Sequence, residues 1–126
     1  MWDFETTILG EPASKSNSRR VVRIKGVSRL IKSRKALQYA QSFVLQCPTL
    51  PEMLDADGSR LMAEIDIFYA SRRPDLDPSL IYDLCQNRLY QNDRSIKHTV
   101  TRWHLDKENP RSLIRIRKLS ADYGEE

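Results

Sequence analysis

Residues 61–97 read LMAEIDIFYASRRPDLDPSLIYDLCQNRLYQNDRSIK. In the first nine, Leu61, Ala63, Ile65, Ile67 and Tyr69 alternate with Met62, Glu64, Asp66 and Phe68, the period of a β-strand with an apolar face. Asp77-Pro78 then marks a helix start: Asp serves as N-cap, and proline takes the first helical position, where its missing N–H costs nothing. Leu80, Ile81, Leu84, Cys85 and Arg88 recur as the buried stripe of a short helix. Leu89 to Asp93 reads as a turn, and a further strand runs from Ile96 toward Trp103. The layout is strand, capped helix, acidic turn, strand, and the rest of the chain is arranged around it.

The same stretch carries four carboxylates, Asp75, Asp77, Asp83 and Asp93, with basic residues at both ends. Asp75 and Asp77 leave an extended backbone on one side, which pins two hard oxygen ligands next to each other, as Mg2+ requires. Each acid also has a purely structural reading. Asp77 is an N-cap, Asp93 a turn residue, Asp83 a solvated helix position, and Asp75 a strand-end partner of Arg72 or Arg73. Pooled at one rim of a sheet, however, that much negative charge is destabilising unless a cation is bound. The set as a whole therefore points to a metal site.

Working outward, Trp2 to Leu9 alternates as an amphipathic strand that Gly10, Glu11 and Pro12 end. No acid occurs between Pro12 and Pro51, whereas Lys15, Arg19, Arg20, Arg23, Lys25, Arg29, Lys32, Arg34 and Lys35 all fall in this block. A long run of one sign suits contact with a phosphate backbone, because each neutralised phosphate releases condensed counterions. It also suits a solvated edge that resists strand pairing. Residues 12–20 are expected to form a mobile basic loop. Val21–Ile24 and Val27–Ile31 should form a hairpin turning at Lys25-Gly26. Ser33 should cap a helix whose apolar stripe is Ala36, Leu37, Ala40, Phe43, Val44 and Cys47, stopped by Pro48. Pro48 to Arg60 is a loop, Leu113–Leu119 a last strand, and 120–126 a frayed acidic tail. The expected fold is α+β, with a small mixed sheet and two main helices in a single domain spanning 1–126.

The net charge of +4, with 30% of residues charged, is compatible with a polyanionic partner. Cys47 and Cys85 fit no metal-ligand or redox spacing and read as buried apolar residues in a reducing, cytoplasmic setting. No apolar run is long enough to span a bilayer. His98 and His104 stand apart from any thiol, so a structural role suits them better than zinc binding. Ser14, Ser16 and Ser18 have no paired base, and the four scattered glycines form no phosphate loop, so no nucleotide cofactor is expected.

RRPDLD, with Asp83 ten residues before the Asp93 of the turn Tyr90-Gln91-Asn92-Asp93 and the following RSI, resembles the RusA family of Holliday-junction resolvases, above all the versions of phages and prophages. GEPASKSNSRR and IKSRKA resemble that family's basic half, and the similarity runs from about Ile8 onward. The resemblance implies a homodimer in the cytoplasm of a bacterial host that nicks four-way DNA junctions in recombination and repair, with Mg2+ as cofactor and Mn2+ as a substitute. It implies metal ligation by Asp75, Asp77 and Asp93, support from Asp83, and DNA contacts from Lys15, Asn17, Arg19, Arg20, Lys32, Lys35, Arg72 and Arg73. Many members carry Asn and a catalytic lysine where this chain has Pro78 and Ile81, and a paired Asp-Asp where it has Asn92-Asp93. The expected catalytic cation is therefore Lys97, or one of Lys32 and Lys35. The alternative is a branched-DNA-binding protein that keeps the fold without turnover.

Overall fold

The computed structural model describes residues 1–14 and 19–125. Its elements are β1 (Phe4–Leu9), β2 (Arg19–Ile24), β3 (Val27–Lys32), α1 (Arg34–Gln46), β4 (Leu61–Tyr69), α2 (Ser79–Cys85), β5 (Ile96–Leu105) and β6 (Arg111–Lys118). β1, β6, β4 and β5 form one mixed sheet in that order, while β2 and β3 pair separately. β1 and β4 are antiparallel to β6, whereas β4 and β5 are parallel. Parallel neighbours need a crossover, and α2 lies in it.

The alternation in β4 explains the layering. Leu61, Ala63, Ile65, Ile67 and Tyr69 are buried together with Ile8 of β1, Ile114 and Ile116 of β6, and residues of both helices. The opposite face of β4 carries Glu64 and Asp66. Arg102 reaches both of them, Arg115 is near both, and the His104 ring lies 2.7 Å from Asp66. The Phe68 ring is stacked between His104 and the Arg111 guanidinium. Charge-compensated side chains thus blanket the second face. The structural reading of His104 agrees with this placement, and His98 is exposed and stacked on Tyr123.

α1 starts where Ser33 predicts. The Ser33 hydroxyl accepts the Ala36 N–H, a cap worth about 1 kcal/mol. Its buried face differs from the expected stripe: Ala36, Tyr39 and Phe43 are buried, whereas Leu37 and Val44 are about half exposed. The cause lies at the other end of the helix. Gln46 donates to the Leu9 carbonyl and accepts the Leu9 N–H, imitating a paired strand at the edge of the sheet. Tyr39 and Gln46 are seven positions apart and share a flank. Drawing that flank to β1 rolls Leu37 and Val44 toward solvent.

The hairpin turns at Lys25 and Gly26, both with positive φ (51° and 79°), as the tight turn between twisted strands requires. β2 begins at Arg19, so the basic loop ends earlier than expected. Its beginning is not loose either: Pro12 and Ala13 are buried, Ala13 within the core. Residues 15–18 of the expected mobile loop lie outside the described residues.

The acidic tail is also tied down. Arg60 donates to the carbonyls of Ala121 and Tyr123 and pairs with Glu125. Arg60→Ala should release this segment, raising amide hydrogen exchange at residues 121–125 while shifting global stability by no more than about 1 kcal/mol. Both cysteines are buried thiols. Among the described residues, no helix is long and apolar enough to cross a membrane.

Candidate functional site

Tyr69, the last residue of β4, sits on the buried face with its hydroxyl at the rim of the core. That hydroxyl donates to the Asp75 carbonyl (3.2 Å) and accepts the Asp77 N–H (3.3 Å), so one side chain sets the backbone on which both aspartates stand. The Trp103 indole on β5 fixes the same loop by donating to the Pro74 carbonyl at 3.0 Å. Burial raises the Tyr69 pKa. The Asp77 N–H opposes that shift, while the carboxylates of Asp77, Glu11 and Asp75 add to it. The hydroxyl stays protonated at neutral pH and keeps its donor role.

Asp75 is exposed. Asp77 is half-buried, and its Oδ1 accepts both the N–H and the hydroxyl of Ser79. The cap position belongs to Pro78, which makes no side-chain cap, so Asp77 stands one residue earlier than the sequence implies. It closes a local turn ahead of α2, and its carboxylate is oriented by that turn.

Glu11 completes this end of the molecule. Its Oε1 accepts the Ala70 N–H at 2.9 Å, and its Oε2 pairs with Lys35 Nζ at 3.0 Å. Beside these groups lies a pocket of about 150 Å³ lined by Pro12, Ser14, Lys35, Tyr69, Arg73 and Pro74. Carboxylates and cations from the β1–α1 region and from the β4–α2 loop are thereby brought together.

Asp93 is elsewhere. Asp75 and Asp77 precede the start of α2, whereas Asp93 follows its end, with its N–H donated to Gln86 Oε1 at 3.1 Å. The seven residues of α2 alone span about 10 Å. Asp83 and Asp93, both exposed, lie around the buried Tyr90, whose hydroxyl is pushed up mainly by burial and, among lesser causes, by these two carboxylates. Among the described residues, no three Asp, Glu, His or Cys side chains are grouped to hold a metal ion. The expectation that the strand end, helix start and acidic turn share one rim therefore meets an obstacle in the parallel register. β4 pairs with β5 from Leu61↔Ile96 to Tyr69↔Leu105, so the loop after β4 and the turn before β5 leave from opposite ends of the sheet. Lys97, at the start of β5, belongs to the Asp93 end.

The acidic turn has its own anchor. Asp55, only 7% exposed, accepts the N–H groups of Gln91 (2.7 Å) and Asn92 (3.3 Å) and the Ser95 hydroxyl. Burial raises its carboxyl pKa, but these hydrogen bonds outweigh that effect and hold it below the ordinary aspartate value. Asn92 caps the 3-10 turn Asp93–Ser95 by accepting the Arg94 N–H.

Of the expected DNA contacts, Lys35, Arg72 and Arg73 are exposed around the Asp75 loop. Arg19 and Lys32 are paired at the open end of the hairpin and Arg20 stands opposite Ile31, so this end feeds directly into Ser33 and α1. Lys15 and Asn17 lie outside the described residues. Glu11, Tyr69 and Asp55 are not among the expected site residues. The one signal that could have found Glu11 is its place as the last acid before the acid-free block, whereas the other two carry no local signal beyond a polar group in a strand end and a loop.

Comparison with protein-family models and with curated proteins found no match to this chain.

Proposed function

We propose that the protein is a Mg2+-dependent, structure-specific endodeoxyribonuclease that acts as a homodimer on four-way DNA junctions, with Asp75 and Asp77 as the ligand pair. The observation that carries this reading is the loop from Ala70 to Ser79. Asp75 and Asp77 stand two residues apart on a backbone held by Tyr69 and Trp103, and the same Tyr69 lines a pocket with Lys35 and Arg73. The donor set fits Mg2+, which commonly takes one or two carboxylates and completes its shell with water and substrate phosphate oxygens. Bound there, the ion would activate water and polarise the phosphoryl oxygens.

The chain's own residues supply the rest. Asp77 is oriented by Ser79, and the exposed Asp75 faces the incoming substrate. Lys35 and Arg73 draw the phosphate backbone toward the pair. Backbone charge and branch shape, not base contacts, would select the substrate. The two-fold symmetry of a dimer would suit paired nicks in a junction with similar symmetry. Asp93 and Asp83, beyond the far end of α2, have a supporting role in this reading.

One observation favours the alternative of a branched-DNA-binding protein without turnover. Ile81, at the position where the resembling family carries its lysine, is fully buried, so that position cannot present a cation here.

Paramagnetic broadening by Mn2+ tests the ligand pair. Amide signals of residues 70–79 should be lost at low Mn2+ concentration, with those of 91–95 retained. Broadening confined to 91–95 would move the metal to Asp93.

A further inference from the structure

We infer that Lys35, held by Glu11, is the cation that contacts the phosphodiester beside Asp75 and Asp77, so that this charge comes from α1 and not from α2 or β5. The inference rests on the nuclease reading of the Asp75 loop. A lysine on α2 at the family's position is replaced by the buried Ile81. Lys97 stands beside Ile96, which pairs with Leu61, whereas Tyr69 ends the same strand eight residues later. At a strand rise of about 3.3 Å per residue those ends are some 26 Å apart, far beyond the reach of a lysine side chain.

Lys35 is placed where the other two are not. It lines the same pocket as Tyr69, Arg73 and Pro74, and that pocket's volume is several times the roughly 30 Å³ share of one water. Its ammonium has three N–H groups, of which Glu11 Oε2 takes one at 3.0 Å, and the side chain is 50% exposed, so donors remain for a phosphate oxygen. The pair is too open to contribute much stability, but it fixes direction. Glu11 is itself bound by the N–H of Ala70, the residue after Tyr69, and Tyr69 carries the backbone of Asp75 and Asp77. Hydrogen bonds at the adjacent residues Ala70 and Tyr69 therefore tie the ammonium, through Glu11, to the acidic loop. Glu11 is a positioning residue and Lys35 the group that touches substrate.

The test measures four-way junction binding against salt in EDTA, and cleavage in Mg2+, for Lys35→Ala, Lys35→Arg, Glu11→Gln, Lys32→Ala, Lys97→Ala and Asp75→Asn. Lys35→Ala should lower the slope of log K against log salt by about 1 and cleavage by about 10²-fold, and Lys35→Arg should recover most of both. Glu11→Gln should lower kcat with little change in KM or in the salt slope. Lys97→Ala should keep cleavage within about threefold. An unchanged salt slope in Lys35→Ala, or a larger cleavage loss in Lys32→Ala or Lys97→Ala, overturns the inference. If Asp75→Asn is inactive in that same series, the nuclease reading survives. Full cleavage by Asp75→Asn overturns the assignment of the metal site to this loop, and absence of cleavage by the wild type overturns the nuclease reading; in either case the salt slope decides by itself whether Lys35 meets the backbone.

Discussion

Asp75→Asn is expected to abolish Mg2+-dependent junction cleavage, by at least roughly 10³-fold or about 4 kcal/mol of transition-state stabilisation. Junction binding in EDTA should be retained or tightened, because one negative charge facing the phosphate backbone disappears. Folding should be unaffected, since the Asp75 side chain is exposed and the Tyr69 hydroxyl holds its carbonyl, not its carboxylate. Asp93→Asn should cost less than about tenfold, because that carboxylate lies beyond the far end of α2. Equal losses in the two variants would mean that the acidic turn swings to the Asp75 loop when substrate binds. Single-turnover kinetics of both variants, with binding measured separately, decide this.

The largest stability effect should come from Asp55→Ala. That substitution leaves two backbone N–H groups and one hydroxyl of the segment Gln91–Ser95 without their acceptor. Unsatisfied buried donors cost about 1–3 kcal/mol each, less whatever water recovers, so a loss of about 2–4 kcal/mol is expected in urea unfolding. The wild type should show a matching acid sensitivity. The folded Asp55 carboxyl is held below its ordinary value, so the unfolded chain takes up the proton first as pH falls. Its contribution is complete above about pH 3.9 and is lost as pH drops through the folded value. Stability measured between pH 6 and pH 2 should fall less steeply in Asp55→Ala than in the wild type.

Patterns of period two and of helical spacing found most elements, because they report directly on burial. The alternation of Leu61–Tyr69, the Ser33 cap, the Lys25-Gly26 turn, and Ile114 and Ile116 opposite Arg115 and Arg117 are all visible in the chain. Strand order was not legible. Nothing local to Asp75 or Asp93 says that β4 and β5 are parallel, and that one fact puts the two ends of the acidic stretch at opposite ends of the sheet. Long-range partners escaped for the same reason. Glu11 meets Ala70 and Asp55 meets Gln91 across separations of 59 and 36 residues, while Arg60 holds a tail whose composition reads as loose. The roll of α1, which buries Tyr39 in place of Leu37 and Val44, was set by Gln46 at its end and not by the stripe itself.

The most direct measurement is a denaturing-gel cleavage assay of the wild type on end-labelled four-way, flap and linear DNA, in Mg2+ and in EDTA. The nuclease reading predicts symmetric nicks in two opposing strands of the four-way junction, with Mg2+ and not with EDTA, and little cleavage of linear duplex. Junction binding without cleavage in Mg2+ or Mn2+, or cleavage that persists in EDTA, would contradict it.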